Sequence, residues 1–197
     1  MSFSGKILDW YHINKRSLPW RKTTDPYKIW LSEVILQQTR VAQGLPYYNE
    51  FVNKFPSVKQ LAQAGEDQVL RIWQGLGYYS RAKNLHKCAK IISSEFDGNF
   101  PKTYKELLQL PGIGPYTAAA IASFCFNEPV AVVDGNVYRV LSRYYGEHTD
   151  IASTKGAKVF TALANAVLDP NNADIHNKAI MEFGAPFCTH QNPNCAT

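Results

Sequence analysis

Apolar residues recur at intervals of three and four along almost the whole chain, and this pattern predicts an all-α fold. Periodicity and strong helix formers predict helices over 4–13, 27–41, 47–55, 67–73, 82–94, 104–110, 116–126, 135–145, 155–168 and 173–183. Pro19, Pro56, Gly65, Gly98 with Pro101, and Pro170-Asn171-Asn172 punctuate them. Val130 to Val133 has the composition of a short strand. It is not expected to form one, because no second strand pattern is there to pair with it. The chain shows no internal repeat and no low-complexity tract, and its 197 residues suffice for one sizeable core or two small ones.

One interruption is unlike the others. Leu110-Pro111-Gly112-Ile113-Gly114-Pro115-Tyr116-Thr117-Ala118 sets a glycine-proline hairpin between two helical patterns, the second rich in alanine. Gly112 and Gly114 permit a sharp reversal, and Pro115 suits a first helical position because its missing N–H would be unbonded there anyway. The backbone N–H groups of such a loop and the positive end of the following helix can hold a phosphate without any charged side chain. An ordinary helix-helix corner leaves a similar trace.

Two carboxyl groups add chemistry. Asp134 precedes Gly135-Asn136-Val137-Tyr138-Arg139, where a helix begins, and an N-cap is its simplest role. Glu33 has Ile29, Trp30, Leu36 and Gln37 three or four positions away, which puts it on the apolar face of its own helix. Burial there raises a carboxyl pKa, whereas a helix N-terminus keeps a carboxylate ionised. A pair divided in this way suits a mechanism needing one acid and one anion. A buried glutamate satisfied by a nearby arginine is the alternative for Glu33.

Five segments in register carry a family resemblance: Leu18-Pro19-Trp20-Arg21, Trp30 to Thr39, Gly75-Leu76-Gly77-Tyr78-Tyr79-Ser80-Arg81, the hairpin, and Val133 to Arg139. Together they resemble the adenine DNA glycosylase (MutY) family of the helix-hairpin-helix glycosylase superfamily, from about Leu18 to Cys195. The resemblance implies a six-helix barrel module over 18–128, a second module from 1–17 and 129–197, and a DNA-binding cleft between them. It implies a monofunctional glycosylase of base excision repair that hydrolyses the N-glycosidic bond of adenine mispaired with 8-oxoguanine or guanine. Glu33, Asp134, Tyr116 and Asn136 become the catalytic candidates, the last two as partners that orient the carboxyl groups. Gln38, Thr39, Leu76, Tyr78, Gly112, Gly114 and Arg21 become the DNA-binding candidates, with Gln38 and Tyr78 entering the duplex when the base is extruded. Tyr116 stands where endonuclease III-like members carry a lysine, so a Schiff-base lyase step is not expected. A glycosylase for thymine or uracil opposite guanine, and a DNA-binding module without activity, are the alternative readings.

The cysteines extend the resemblance. Cys188 and Cys195 match the first two ligands of the family's 4Fe-4S motif, which requires four thiolates. The chain ends one position before the third would fall, so it is expected to be truncated, with a cluster in the complete protein and none in this chain. The family's C-terminal domain for 8-oxoguanine recognition is likewise expected to be missing, which would blunt opposing-base discrimination. Cys88 and Cys125 lie within helical patterns and are expected to be ordinary core residues. Lys178 stands where relatives often carry Gln or Glu, and is expected to face solvent. A net charge of +5 suits a polyanionic partner, here double-stranded DNA. No apolar run reaches membrane-spanning length, so a monomeric cytoplasmic protein on the nucleoid, without a membrane partner, is the expectation.

Overall fold

The structure is a computed structural model that describes residues 2–193. Its helices are α1 (Phe3–Asn14), α2 (Pro26–Ile35), α3 (Val41–Lys54), α4 (Val58–Gln63), α5 (Glu66–Trp73), α6 (Ser80–Glu95), α7 (Tyr104–Leu107), α8 (Pro115–Phe126), α9 (Gly135–Tyr145), α10 (Thr154–Val167) and α11 (Ala173–Gly184). A short 3-10 turn, Pro19–Arg21, precedes α2, and no strand forms among the described residues. None of these helices is long and apolar enough to cross a membrane. The chain divides into two compact units, Pro19–Ile121 and the combination of Met1–Leu18 with Ala122–Thr197, so the division falls inside α8.

In the unit of residues 19–121, α4 and α5 pack on α6, α3 packs on α2 and α5, and α2 also meets α6. Trp30, Phe51, Leu61, Trp73, Leu85, Ile92 and Leu107 are fully buried and form its core. Local chemistry sets most helix starts: Asp25 caps α2 ahead of Pro26, Ser57 caps α4, and Thr103 with Glu106 forms a capping box on α7. Two boundaries depart most from periodicity. The pattern over 27–41 predicts one helix, yet α2 stops at Ile35 and Gln38 turns to φ +57°. Conversely α3 begins at Val41 and runs through Pro46 to Lys54, whereas periodicity predicts a helix only over 47–55. The close approach of α3 to the end of α2 depends on Gly44, whose Cβ would lie 2.8 Å from Leu36 Cδ2. The six-residue α4 is too short to show a period and was not expected.

In the unit formed by the two ends of the chain, α11 packs on α1 and α9, and α9 packs on α10. Phe124, Val132, Leu141, Phe160 and Ala179 lie at its centre. Val130 to Val133 forms no strand, as expected. Side-chain amides take the place of the missing strand: Asn177 Oδ1 accepts from the Val132 N–H, Asn177 Nδ2 donates to the Val130 carbonyl, and Asn165 Oδ1 accepts from the Ala131 N–H. This segment delivers Asp134 to the start of α9. The helix spans the predicted 135–145 and closes on Gly146 in the left-handed region, φ +65°.

Candidate active site

Every residue of α2 from Ile29 to Ile35 is buried, so the helix has no solvent face in its second half. Glu33 belongs to that stretch and is 5% exposed. Tyr116, in the first turn of α8, donates its hydroxyl hydrogen to Glu33 Oε2 at 2.6 Å. The distance lies at the short end of the O–H···O range. The residue after the hairpin is thereby joined to the acid on α2.

Asp134 has another architecture. Its Oδ1 accepts from the Val137 N–H at 2.8 Å, which is the N-cap bond of α9. Its Oδ2 accepts from Asn136 Nδ2 at 2.8 Å. The Asn136 amide is oriented in turn by Arg139, whose Nη2 donates to Asn136 Oδ1 at 2.8 Å. Arg139 also donates to the carbonyls of Gly184 and Cys188, tying the start of α9 to the segment that ends α11. Gly184 makes this approach possible, because a Cβ there would lie 2.5 Å from Asn136 Cβ. The carboxylate is thus held on both oxygens.

The hairpin forms where the sequence predicts it. Leu110 and Ile113 are buried, Gly112 has φ +77°, and Pro115 opens α8. Gly112 is pressed against α6, with 2.8 Å between a built Cβ and Asn84 Cβ. Gly114 faces open space, so the backbone can be approached there.

The candidate DNA-contacting residues are not alike. Tyr78 is 68% exposed and adopts φ +47°, a left-handed conformation that costs a bulky residue energy. Gln38 is exposed and also left-handed, and Thr39 beside it is half-buried. Leu76 is instead buried, with 7% exposure, and packs as a core residue of its unit. Arg21 is half-buried at the end of the 3-10 turn. The loops bearing Gln38 and Tyr78 share one anchor, Arg81, which the sequence offered only as the end of one of the segments that carry the resemblance. Arg139 and Gly184 were missed as well. Their long-range partners, about 45 residues away along the chain, leave no mark in the local sequence.

Lys178 corrects an expectation. It does not face solvent; its side chain is 9% exposed, 3.3 Å from Asp174 Oδ2, with Nζ 5.3 Å from the centroid of the Phe124 ring. The ion pair one turn away and the aromatic face offset the loss of water.

Of the two cysteines that the resemblance matches to cluster ligands, Cys188 alone lies among the described residues. Cys188 is buried and its Sγ accepts from Arg143 Nη1 at 3.3 Å, while Cys195 lies outside the described residues. No group of three or more His, Cys, Asp or Glu side chains able to hold a metal gathers among the described residues. Cys88 and Cys125 sit in α6 and α8, and burial pushes the Cys88 thiol up to about 12, which leaves it a core group.

A helical chain with a glycine-proline hairpin leading into one helix and an aspartate capping the next defines the helix-hairpin-helix class. Residues 31–165 match the HhH-GPD superfamily of base excision DNA repair proteins, and the chain belongs to that family. It is 42% identical over 194 residues to a protein of Buchnera aphidicola subsp. Schizaphis graminum named adenine DNA glycosylase, covering 98% of this chain and 56% of that protein. A human protein of the same name is 42% identical over 204 residues, covering 99% of this chain and 37% of the relative. The chain spans about half the length of the curated bacterial relatives it matches. Among solved structures, a thermostable thymine-DNA glycosylase superposes with a TM-score of 0.88 at 28% identity, covering 98% of this chain and 89% of the other. An endonuclease III in a non-covalent DNA complex superposes with a TM-score of 0.80 at 22% identity, over 99% of this chain and 92% of that one, a likeness of fold.

Proposed function

We propose that the protein is a DNA glycosylase of base excision repair that releases adenine mispaired with 8-oxoguanine or guanine in double-stranded DNA. The observation that carries this reading is the pair of separately built carboxyl groups, Glu33 against Tyr116 and Asp134 against Asn136. The names of the relatives at about 42% identity support the choice of adenine.

In this mechanism the adenine leaves the stack, with Gln38 and Tyr78 filling the gap beside the opposing base and Thr39 near it. Glu33, protonated in its buried setting, donates to N7 of the base. The bond from C1′ to N9 breaks, its electron pair goes to the base, and the base departs neutral. Positive charge develops on the sugar, and the Asp134 carboxylate stabilises it directly or through a transient bond at C1′. Water then adds to C1′, displacing the Asp134 carboxylate where that bond has formed, and passes its proton to the Glu33 carboxylate left by the first step. Tyr116 offers no amine for an imine, so strand cleavage is not part of the reaction. The hairpin at Gly112 and Gly114 and the 3-10 turn at Arg21 would hold the backbone phosphates. Cys188 and Cys195 would supply two of the four thiolates of a 4Fe-4S cluster, and no step of the mechanism runs through it. The protein acts as a monomer on this reading.

A second reading has its own support. The likeness to a thymine-DNA glycosylase supports excision of thymine opposite guanine. A single-turnover assay separates the two, using duplexes with adenine opposite 8-oxoguanine, adenine opposite guanine, and thymine opposite guanine. The first reading predicts release from the two adenine duplexes and intact strands until alkali is added. Release of thymine alone would replace it with the second, and binding without release from any duplex would leave a scaffold without activity.

A further inference from the structure

One guanidinium holds two loops. Arg81 Nη1 donates to the carbonyls of Val34 (3.0 Å), Ile35 (3.2 Å) and Gln37 (2.7 Å), at and just beyond the end of α2. Its Nη2 donates to the carbonyls of Leu76 (3.2 Å) and Gly77 (3.4 Å), in the loop between α5 and α6. The first set belongs to the last turn of a helix, where carbonyls have no further helical partners and a cation is favoured by the dipole. The second set lies in a run where Gly75, Gly77 and Tyr78 all have positive φ. The guanidinium carbon sits 5.1 Å from the centroid of the Trp73 ring and 5.7 Å from that of the Tyr78 ring, within cation–π range of both. A cavity of about 70 Å³ extends from Gln37 and Arg81 to Pro111 and Gly112, which places the clip at the foot of the hairpin too.

These contacts explain why α2 ends early. Helical periodicity continues past Ile35, but the carbonyls that would have continued the helix are taken by a side chain from α6. The chain then turns left-handed at Gln38, and the same side chain fixes the loop that turns left-handed at Tyr78. Both strained residues project exposed side chains. Strain of this kind persists only where the surroundings over-determine it.

We propose that Arg81 is a positioning residue that sets Gln38 and Tyr78 as one paired edge for insertion into the duplex. The proposal rests on the reading above that these two side chains contact DNA. Lysine cannot substitute, since an ammonium has three donors and no planar fork to serve carbonyls on two loops. A residue that merely stabilised the fold would weaken everything alike; a positioning residue makes the two edge residues depend on it.

The test uses Arg81→Lys and Arg81→Ala in the whole chain, with two readouts. The first needs no DNA: amide hydrogen exchange should speed up together in residues 36–40 and 74–79 of Arg81→Lys, with the core of the same unit unchanged. Arg81→Lys keeps the charge and the stem, so it carries the experiment if Arg81→Ala does not fold. The second measures 2-aminopurine fluorescence in a duplex with 2-aminopurine opposite 8-oxoguanine, which reports unstacking whether or not a base is released. Gln38→Ala and Tyr78→Ala should each reduce the signal about tenfold in the native background and about twofold or less in the Arg81→Lys background. Unchanged exchange in either loop overturns the clip, whatever DNA does. Faster exchange with fully additive duplex effects keeps the clip but removes its role in DNA. Faster exchange with no duplex effect of Gln38→Ala or Tyr78→Ala overturns the proposal through the reading on which it rests.

Discussion

Glu33 lies in the middle of a helix covered on every side, whereas Asp134 lies at the first turn of a helix and is reached through a segment outside any helix. Glu33 takes a hydroxyl hydrogen bond from Tyr116 in a buried site. Asp134 takes bonds on both oxygens, one from backbone and one from a side chain that is itself held by Arg139. One carboxyl group is enclosed by its own helix and neighbours, and the other is fixed by donors at both oxygens. The comparison teaches that the two roles proposed here are set by the element each residue occupies. Moving either residue by one turn would exchange its surroundings for those of an ordinary core or surface position.

The Asp134 side of the comparison breaks most readily through Arg139. Arg139→Ala leaves Asn136 free to rotate and the carbonyls of Gly184 and Cys188 without their donor. It should cost about 3 kcal/mol of stability and, through misplacement of Asp134, about a hundredfold in single-turnover rate. Urea titration and base-release kinetics on the same preparation check both. Gly184→Ala should be milder, roughly 1–3 kcal/mol, because its new methyl must push Asn136 aside. A crystal structure of that variant should show the Asn136 amide displaced from Asp134; an unmoved amide would mean that the approach of α11 to α9 is not what positions it.

The Glu33 side is sharpened by Tyr116→Phe. It removes one hydrogen bond and no packing, and should slow base release by a factor of roughly five, about 1 kcal/mol. A loss as large as that of Arg139→Ala would show that Tyr116 contributes chemistry beyond orienting the acid.

The smallest effect is on pH dependence. Burial lowers the pKa of both His86 and His176, and each is 2% exposed. A histidine whose folded pKa lies below its unfolded value adds stability that is fully present above the unfolded pKa, near 6.5, and is lost as pH falls toward the folded pKa. Urea midpoints should therefore fall between pH 7.5 and pH 5.5, and His176→Gln should flatten part of that slope. A rising midpoint over this interval would contradict the assignment.

Much of this arrangement was legible in the sequence where the physics is local. Asp134 ahead of a helix, Pro115 at a first turn and Gly112 of the hairpin act within a few residues, and the structure has them as the pattern implies. Burial of Glu33 followed from its apolar neighbours at helical spacing. What periodicity could not show depends on distant partners. The end of α2 is imposed by Arg81, and the orientation of Asn136 by an arginine anchored to the end of α11. Lys178 misled because a long cationic side chain is expected at the surface, and only the fold reveals Asp174 and Phe124 beside it. Leu76 sits in an exposed-looking loop motif, yet its side chain turns into the core.

The most direct test of the two-carboxyl account compares Glu33→Gln and Asp134→Asn with the native chain in parallel assays of duplex affinity and single-turnover adenine release. The account predicts that both variants bind a duplex with adenine opposite 8-oxoguanine about as well as the native chain and release adenine at least about a hundredfold more slowly. Release at near-native rates by either variant would contradict it.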